Sequence, residues 1–335
     1  MRSQNSRNNY VGGQGHHRYG NNSEQAQHQP SQDAHSVILV TAGYDHVIRF
    51  WEALSGVSSR TIQFPDSQVN TLCISPDKRY LAVGGHQSIK LYDIRTLNPN
   101  HVVAYDGHRN NVTSIGFHME GRWMVTSSED KTIKIWDPRT PTVQRTYTHN
   151  APINDVCIHP NQGELIAGDQ NGTVKIWNIM ENTATHDLVT EGEKSIQSVS
   201  MASKGNTLVA GASNGTCYSW NLNQPEAQPT SFVAHSKYLT KCLISPNSQI
   251  LATCSADATI KLWNIRDQAF TLNKTLIGHT KWTWDCAFSA DSAYLVSASS
   301  DHTARLWELS GGDTIRQYNG HNKATVAVAL NDLSV

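Results

Sequence analysis

The chain has 335 residues, 38% of them hydrophobic and 8% aromatic, with nine tryptophans among the aromatics. That length suits two ordinary domains or one large single-ring fold. The 27 Lys and Arg balance 28 Asp and Glu, so no broad basic field is available to hold a phosphate backbone, and a dedicated nucleic-acid binder is not expected.

Residues 1–35 are Asn, Gln, Gly, Ser and His in irregular order, with little apolar surface to offset the entropy of ordering, so a disordered polar tail is expected there. His16 and His17 have no ligand partner at fixed spacing, and no metal is expected. Folded structure is expected over residues 36–335. No apolar run approaches the roughly 20 residues that cross a bilayer, and the residues after Met1 are polar, so no transmembrane segment and an intracellular, cytoplasmic protein are expected. Cys73, Cys157, Cys217, Cys242, Cys254 and Cys286 lie far apart, without a C-x-x-C pair, and read as small buried hydrophobes.

From Ser36 onward one phrase recurs: an apolar run, a polar turn, then alternating residues that end in an aromatic followed by Asp, Asn or Glu. The endings are Trp51-Glu52, Tyr92-Asp93, Trp136-Asp137, Trp177-Asn178, Trp220-Asn221, Trp263-Asn264 and Trp307-Glu308. Their spacings of 41, 44, 41, 43, 43 and 44 residues belong to four-stranded propeller blades. Segments such as Thr132-Ile133-Lys134-Ile135-Trp136 alternate at period two, and Asn171-Gly172 and Asn214-Gly215 are turn signals ahead of such strands. Seven endings predict an all-β, seven-bladed propeller.

With Gly107-His108, Gly278-His279 and Gly320-His321 as further markers, and Thr148-His149 and Ala234-His235 as near variants, the chain resembles the WD-repeat family. In that family a His, a Ser or Thr, an Asp and a Trp hydrogen-bond in series inside a blade. The resemblance implies the sets His108/Thr126/Asp130/Trp136, His235/Thr253/Asp257/Trp263 and His279/Ser297/Asp301/Trp307. A buried carboxylate needs donors, and imidazole, hydroxyl and indole supply them. Blade one offers Thr41, Asp45 and Trp51 without a preceding His, whereas His321 introduces a final strand with no blade behind it. The last strand is therefore expected to insert as the innermost strand of blade one, closing the ring and completing a fourth set.

Blades two, four and five hold His86, Asn171 and Asn214 at the turn and Ala82, Ala167 and Ala210 at the hydroxyl position. A turn shorter by one residue would place Val83 there in blade two. Acid and hydroxyl are expected to be lost jointly, since either alone leaves an unsatisfied group. Repetition of the Ser/Thr, His and Asp combination favours structure over a hydrolytic triad. The chain also lacks a nucleophile elbow, a phosphate-binding Gly-rich Lys loop and paired metal-binding carboxylates, so no catalysis and no cofactor are expected.

WD-repeat members commonly bind partners through the rim where the innermost strands begin, three and five residues after the Gly-His histidine. Those places hold Trp282 and Trp284 in blade seven, Gln68 and Asn70 in blade two, Asn111 and Thr113 in blade three, Ser195 and Gln197 in blade five, Tyr238 and Thr240 in blade six, and Ala324 and Val326 in blade one. Tryptophans there serve either as anchors for a partner or as covers for a strand end.

The segments Ala42-Gly43-Tyr44-Asp45-His46, Asp66-Ser67-Gln68-Val69-Asn70, Asn150-Ala151-Pro152-Ile153-Asn154 and Trp282-Thr283-Trp284-Asp285-Cys286-Ala287-Phe288-Ser289 are similar to the small G-protein-β-like WD-repeat subunits of TOR kinase complexes. That resemblance runs the length of the propeller. It implies a non-catalytic subunit of both TOR complexes, docked on the carboxy-terminal lobe of a TOR-type phosphatidylinositol-3-kinase-related kinase, stabilising it, shaping substrate access and supporting growth control. Gln68, Trp282 and Trp284 match positions associated with the kinase contact, and raptor-type and rictor-type subunits are implied as indirect partners. Location on endomembranes would come through the complex. The alternative is a generic propeller adaptor, such as a ubiquitin-ligase substrate receptor.

Overall fold

The computed structural model describes residues 37–190, 192–224 and 228–332. The expected tail at residues 1–35 lies outside the described residues. Among the described residues the chain is all strand and turn, with no helix and none long and apolar enough to cross a membrane.

Seven four-stranded antiparallel sheets follow one another as blades of a propeller. Blade three is representative: Val112–Phe117 is innermost, then Met124–Ser128, Thr132–Trp136 and, outermost, Val143–Thr148. The innermost strand of each blade packs against those of its two neighbours in an unbroken circle. Period-two patterning explains the packing, because alternate side chains point to opposite faces of a strand. In blade three Val125 and Ile133 face blade four, whereas Met124 and Trp136 face blade two. Seven buried apolar clusters result, one between each pair of neighbouring blades. Both faces of a blade are therefore covered, and Ile38–Gly43 is buried at every position. Burial of a side chain the size of Trp136 contributes about 3 kcal/mol.

The hairpin between the second and third strand of each blade turns on one residue with positive φ: His46, Gln87, Lys131, Gly172, Gly215, Ala258 and His302. Gly215 is required on steric grounds, since a Cβ there would lie 2.1 Å from the His235 carbonyl oxygen. The final strand, Thr325–Asn331, pairs antiparallel with Ile38–Gly43, so blade one is assembled from both ends of the fold. Its other side is also held: the Val328 N–H donates to Asp285 Oδ2 at 3.0 Å, and Asn331 Nδ2 donates to the Ser75 carbonyl at 3.2 Å.

Candidate functional site

Hydroxyl, imidazole, carboxylate and indole meet in four blades. In blade three the Trp136 indole N–H donates to Thr126 Oγ1 at 2.8 Å, Thr126 Oγ1 lies 2.8 Å from His108 Nε2, and His108 Nδ1 lies 2.8 Å from Asp130 Oδ2. An indole is only a donor, and an ionised carboxylate only accepts, so the chain has one direction: Trp N–H to Thr, Thr O–H to Nε2, Nδ1–H to Asp. His235, Thr253, Asp257 and Trp263 repeat it in blade six at 2.8, 2.9 and 3.1 Å. His279, Ser297, Asp301 and Trp307 do so in blade seven at 2.8, 2.7 and 2.8 Å. His321, Thr41, Asp45 and Trp51 complete blade one at 2.8, 2.8 and 2.7 Å, across the ring closure.

Each carboxylate also fastens its turn. Asp130 Oδ1 accepts the Thr132 N–H and hydroxyl, and Oδ2 accepts the Arg109 N–H. Burial works to raise the carboxyls of Asp130 and Asp301, but the hydrogen bonds from histidine, threonine and backbone outweigh it and hold both well below the usual carboxylate range. Burial lowers the His235 imidazole against the Asp257 carboxylate that would raise it, in keeping with a neutral ring.

Among the remaining blades, blade two follows one of its two sequence expectations and blade four departs from its own. Blade two has the shorter turn: Lys90 pairs with Val83, as Lys134 pairs with Thr126, so Val83 takes the hydroxyl position. Blade four has not lost its acid. With Ala167 in place of a hydroxyl, the Trp177 indole N–H donates straight to His149 Nε2 at 2.7 Å. Nδ1 therefore carries the proton and faces Asp169 Oδ2 at 3.8 Å, beyond hydrogen-bond reach. Asp169 Oδ1 in turn accepts the N–H groups of Asn171 and Thr173. The acid has moved two residues back along the strand, and the signal that could have found it was Asp169 beside an unmatched His149.

The rim is defined by a repeated backbone bond, in which a turn residue donates to the carbonyl 18 residues earlier: Glu129 to Asn111, Gln170 to Pro152, Ser213 to Ser195, Ala256 to Tyr238 and Ser300 to Trp282. Tyr44 does the same to Ala324 across the closure, and blade two substitutes the Ser67 hydroxyl, which accepts the His86 N–H. Two residues further on, the strand register slips by one, leaving Thr113, Asn154, Gln197, Thr240, Trp284 and Val326 as bulged residues turned off the ladder. Thr113, Asn154 and Thr240 use that freedom to donate to a carbonyl of the next blade, at 2.9, 2.7 and 2.6 Å. Trp284 instead donates to Ser300 Oγ in its own blade at 2.6 Å.

Three rim aromatics form a row over blades six and seven. Trp282, 41% exposed, stacks on Tyr238 with ring centres 5.8 Å apart and planes 25° from parallel, and Trp284 lies 5.3 Å from Trp282. Gln68 is half-buried two blades from Trp282 around the ring, with Ala324 and Val326 of blade one between them. Asn111 is held by Glu129 and His86, at 3.0 and 3.1 Å, outside the aromatic row. Sequence reasoning missed a second feature, three residues beyond the rim position in three blades. Lys241 donates to Asp155 Oδ2 at 3.1 Å, and Asp285 holds the closing strand. Burial pushes the Asp285 carboxyl up, partly offset by the Lys241 ammonium.

Seven such blades, four of them with the complete buried polar set, define a WD-repeat β-propeller. Residues 68–334 match the family model described as the IFT122 first β-propeller. The target of rapamycin complex subunit wat1 of Schizosaccharomyces pombe is 56% identical over 306 residues, 90% of this chain and 98% of that protein. The target of rapamycin complex subunits LST8 of Saccharomyces cerevisiae and Bos taurus are 60% and 52% identical over stretches covering 51% and 48% of this chain, and 56% and 50% of their own lengths. The chain belongs to the wat1/LST8 family of β-propeller proteins.

Proposed function

We propose that the protein is a non-catalytic subunit of TOR kinase complexes in the cytoplasm. Its rim would seat on the carboxy-terminal lobe of the kinase domain, stabilise the kinase and narrow the approach to its cleft, with raptor-type and rictor-type subunits as indirect partners. The observation that carries this reading is the match to almost the whole of a protein named as a TOR complex subunit. Two structural facts support it. Thr41, Thr126, Thr253 and Ser297 are fully buried, and each hydroxyl is already engaged by an indole and an imidazole, so a substrate has no approach to them. Trp282 and Tyr238 offer an apolar shelf at the rim, the kind of surface where loss of one aromatic costs about 2 kcal/mol or more, near thirtyfold in affinity.

The test is recovery of a TOR-type kinase by the tagged protein. The wild type should retain it, and the Trp282→Ala, Trp284→Ala double variant should lose most of it while melting cooperatively. Full recovery by the folded variant would remove the rim from the contact, and absence of the kinase from wild-type material would remove the function.

A further inference from the structure

The residue immediately before the rim position divides the ring in two. In blades five, six, seven and one it is Lys194, Lys237, Lys281 and Lys323, and in blades two, three and four it is Ser67, Asn110 and Ala151. All four lysines are exposed. The ion pairs of Lys90, Lys175 and Lys241 all lie outside this arc. The acids beneath the arc, Asp257, Asp301 and Asp45, turn inward to His235, His279 and His321 at 2.8 Å each. Glu191 and Glu193 are close to Lys194 in the chain. Four exposed ammonium groups thus stand on consecutive blades without an ion pair among the described residues, and Lys237 and Lys281 directly precede Tyr238 and Trp282 of the aromatic row.

The chemistry that fits an arc of alternating ammonium and aromatic groups is a chain of carboxylates carried on a backbone with apolar side chains. The ammoniums take the carboxylates, and the flat face of Trp282 and Tyr238 takes a side chain between them. A nucleic acid is disfavoured because the protein has a net charge of −1 and the arc holds single-point cations without guanidinium forks. A membrane plane is disfavoured because the other half of the same rim has no cation at this position. Resting on the reading of the rim as the partner-binding face, we propose that the Lys194–Lys237–Lys281–Lys323 arc receives an acidic segment of the partner protein, with the aromatic row as its apolar anchor.

The experiment compares four forms of the intact protein for binding to purified TOR-type kinase: wild type, Trp282→Ala with Trp284→Ala, the triple variant Lys237→Glu, Lys281→Glu and Lys323→Glu, and the same triple change to Arg. A fifth form, Lys204→Glu with Arg266→Glu and Arg122→Glu, makes an equal change of charge at exposed positions off the arc. The expected results are a loss of about tenfold or more for the Glu triple variant, near wild-type binding for the Arg triple and the off-arc control, and weaker wild-type binding between about 50 and about 300 mM salt. If the tryptophan variant loses the kinase while the Glu triple variant keeps it, the acidic segment is overturned and the rim reading stands. If both keep it, the rim reading falls first. Tighter wild-type binding to phosphatidylserine vesicles or to a single-stranded oligonucleotide than to the kinase would also overturn the proposal.

Discussion

Blades one, three, six and seven carry the complete Trp, Ser/Thr, His and Asp chain, and blades two, four and five do not. In the first group every donor meets an acceptor within 3.1 Å. In the second group each blade lost the hydroxyl and answered differently. Blade two shortened its turn and set Val83 in place of the hydroxyl. Blade five packs Ala210 into the apolar cluster with Tyr218 and Trp220. Blade four kept its histidine by letting Trp177 reach it directly, and left Nδ1 short of Asp169. A buried polar relay is thus kept whole, removed, or, in blade four, rewired at its indole end at the cost of one desolvated imidazole N–H. Complete relays occupy the consecutive blades six, seven and one, beneath most of the lysine arc and all of the aromatic row. Three of the four turns that frame the proposed binding face, those of blades six, seven and one, are pinned by carboxylates.

That contrast can be broken most severely at blade one, whose relay spans the closure. Removing the residues after Asn319 takes away His321 and an entire inner strand, and should replace a cooperative melt with aggregation, read by size-exclusion chromatography and circular dichroism. A soluble truncation that melts cooperatively would show that the closure does not hold the ring.

A smaller effect should separate blades three and four by opposite changes. Thr126→Val leaves His108 and Trp136 without their shared partner, and should cost about 1 to 3 kcal/mol in urea unfolding. Ala167→Thr puts a hydroxyl where blade four already has a 2.7 Å indole–imidazole bond, and should cost about as much through overpacking. Stabilisation by Ala167→Thr would mean that blade four is an incomplete relay instead of a rewired one.

The mildest test uses acid. A carboxyl held low in the folded state gives stability that is present above its unfolded value, near 3.8, and is lost as pH falls toward the folded value. The Asp130→Asn, Asp301→Asn variant lacks that dependence, so the stability gap to wild type should narrow between pH 5 and pH 3, on the order of 1 kcal/mol. An equal gap at both pH values would show that these carboxylates are not held low.

Much of this was legible in the chain itself. Blade endings and the closure could be read because strand alternation and repeat spacing are local properties of sequence, and the relay partners recur at one offset. The rewired blade four could not, since Asp169 becomes relevant only when a missing hydroxyl brings Trp177 onto Nε2 and so fixes the tautomer of His149. Asp155, Lys241 and Asp285 escaped notice for another reason: they come from strands up to 130 residues apart, and only the closed circle brings them together. The lysine arc stands at a fixed offset in the sequence, but exposure and the inward commitment of nearby acids are facts of three dimensions.

The pairing of Ile38–Gly43 with Thr325–Asn331 sets a timetable for biogenesis. At about 5 to 20 residues per second, the strand made first waits roughly 15 to 60 s on the ribosome before its partner emerges. Throughout that interval an apolar edge of the nascent chain stands open to any other extended segment. The first blade translated is the last to be finished, and its exposed edge is where a cotranslational chaperone would have most to protect.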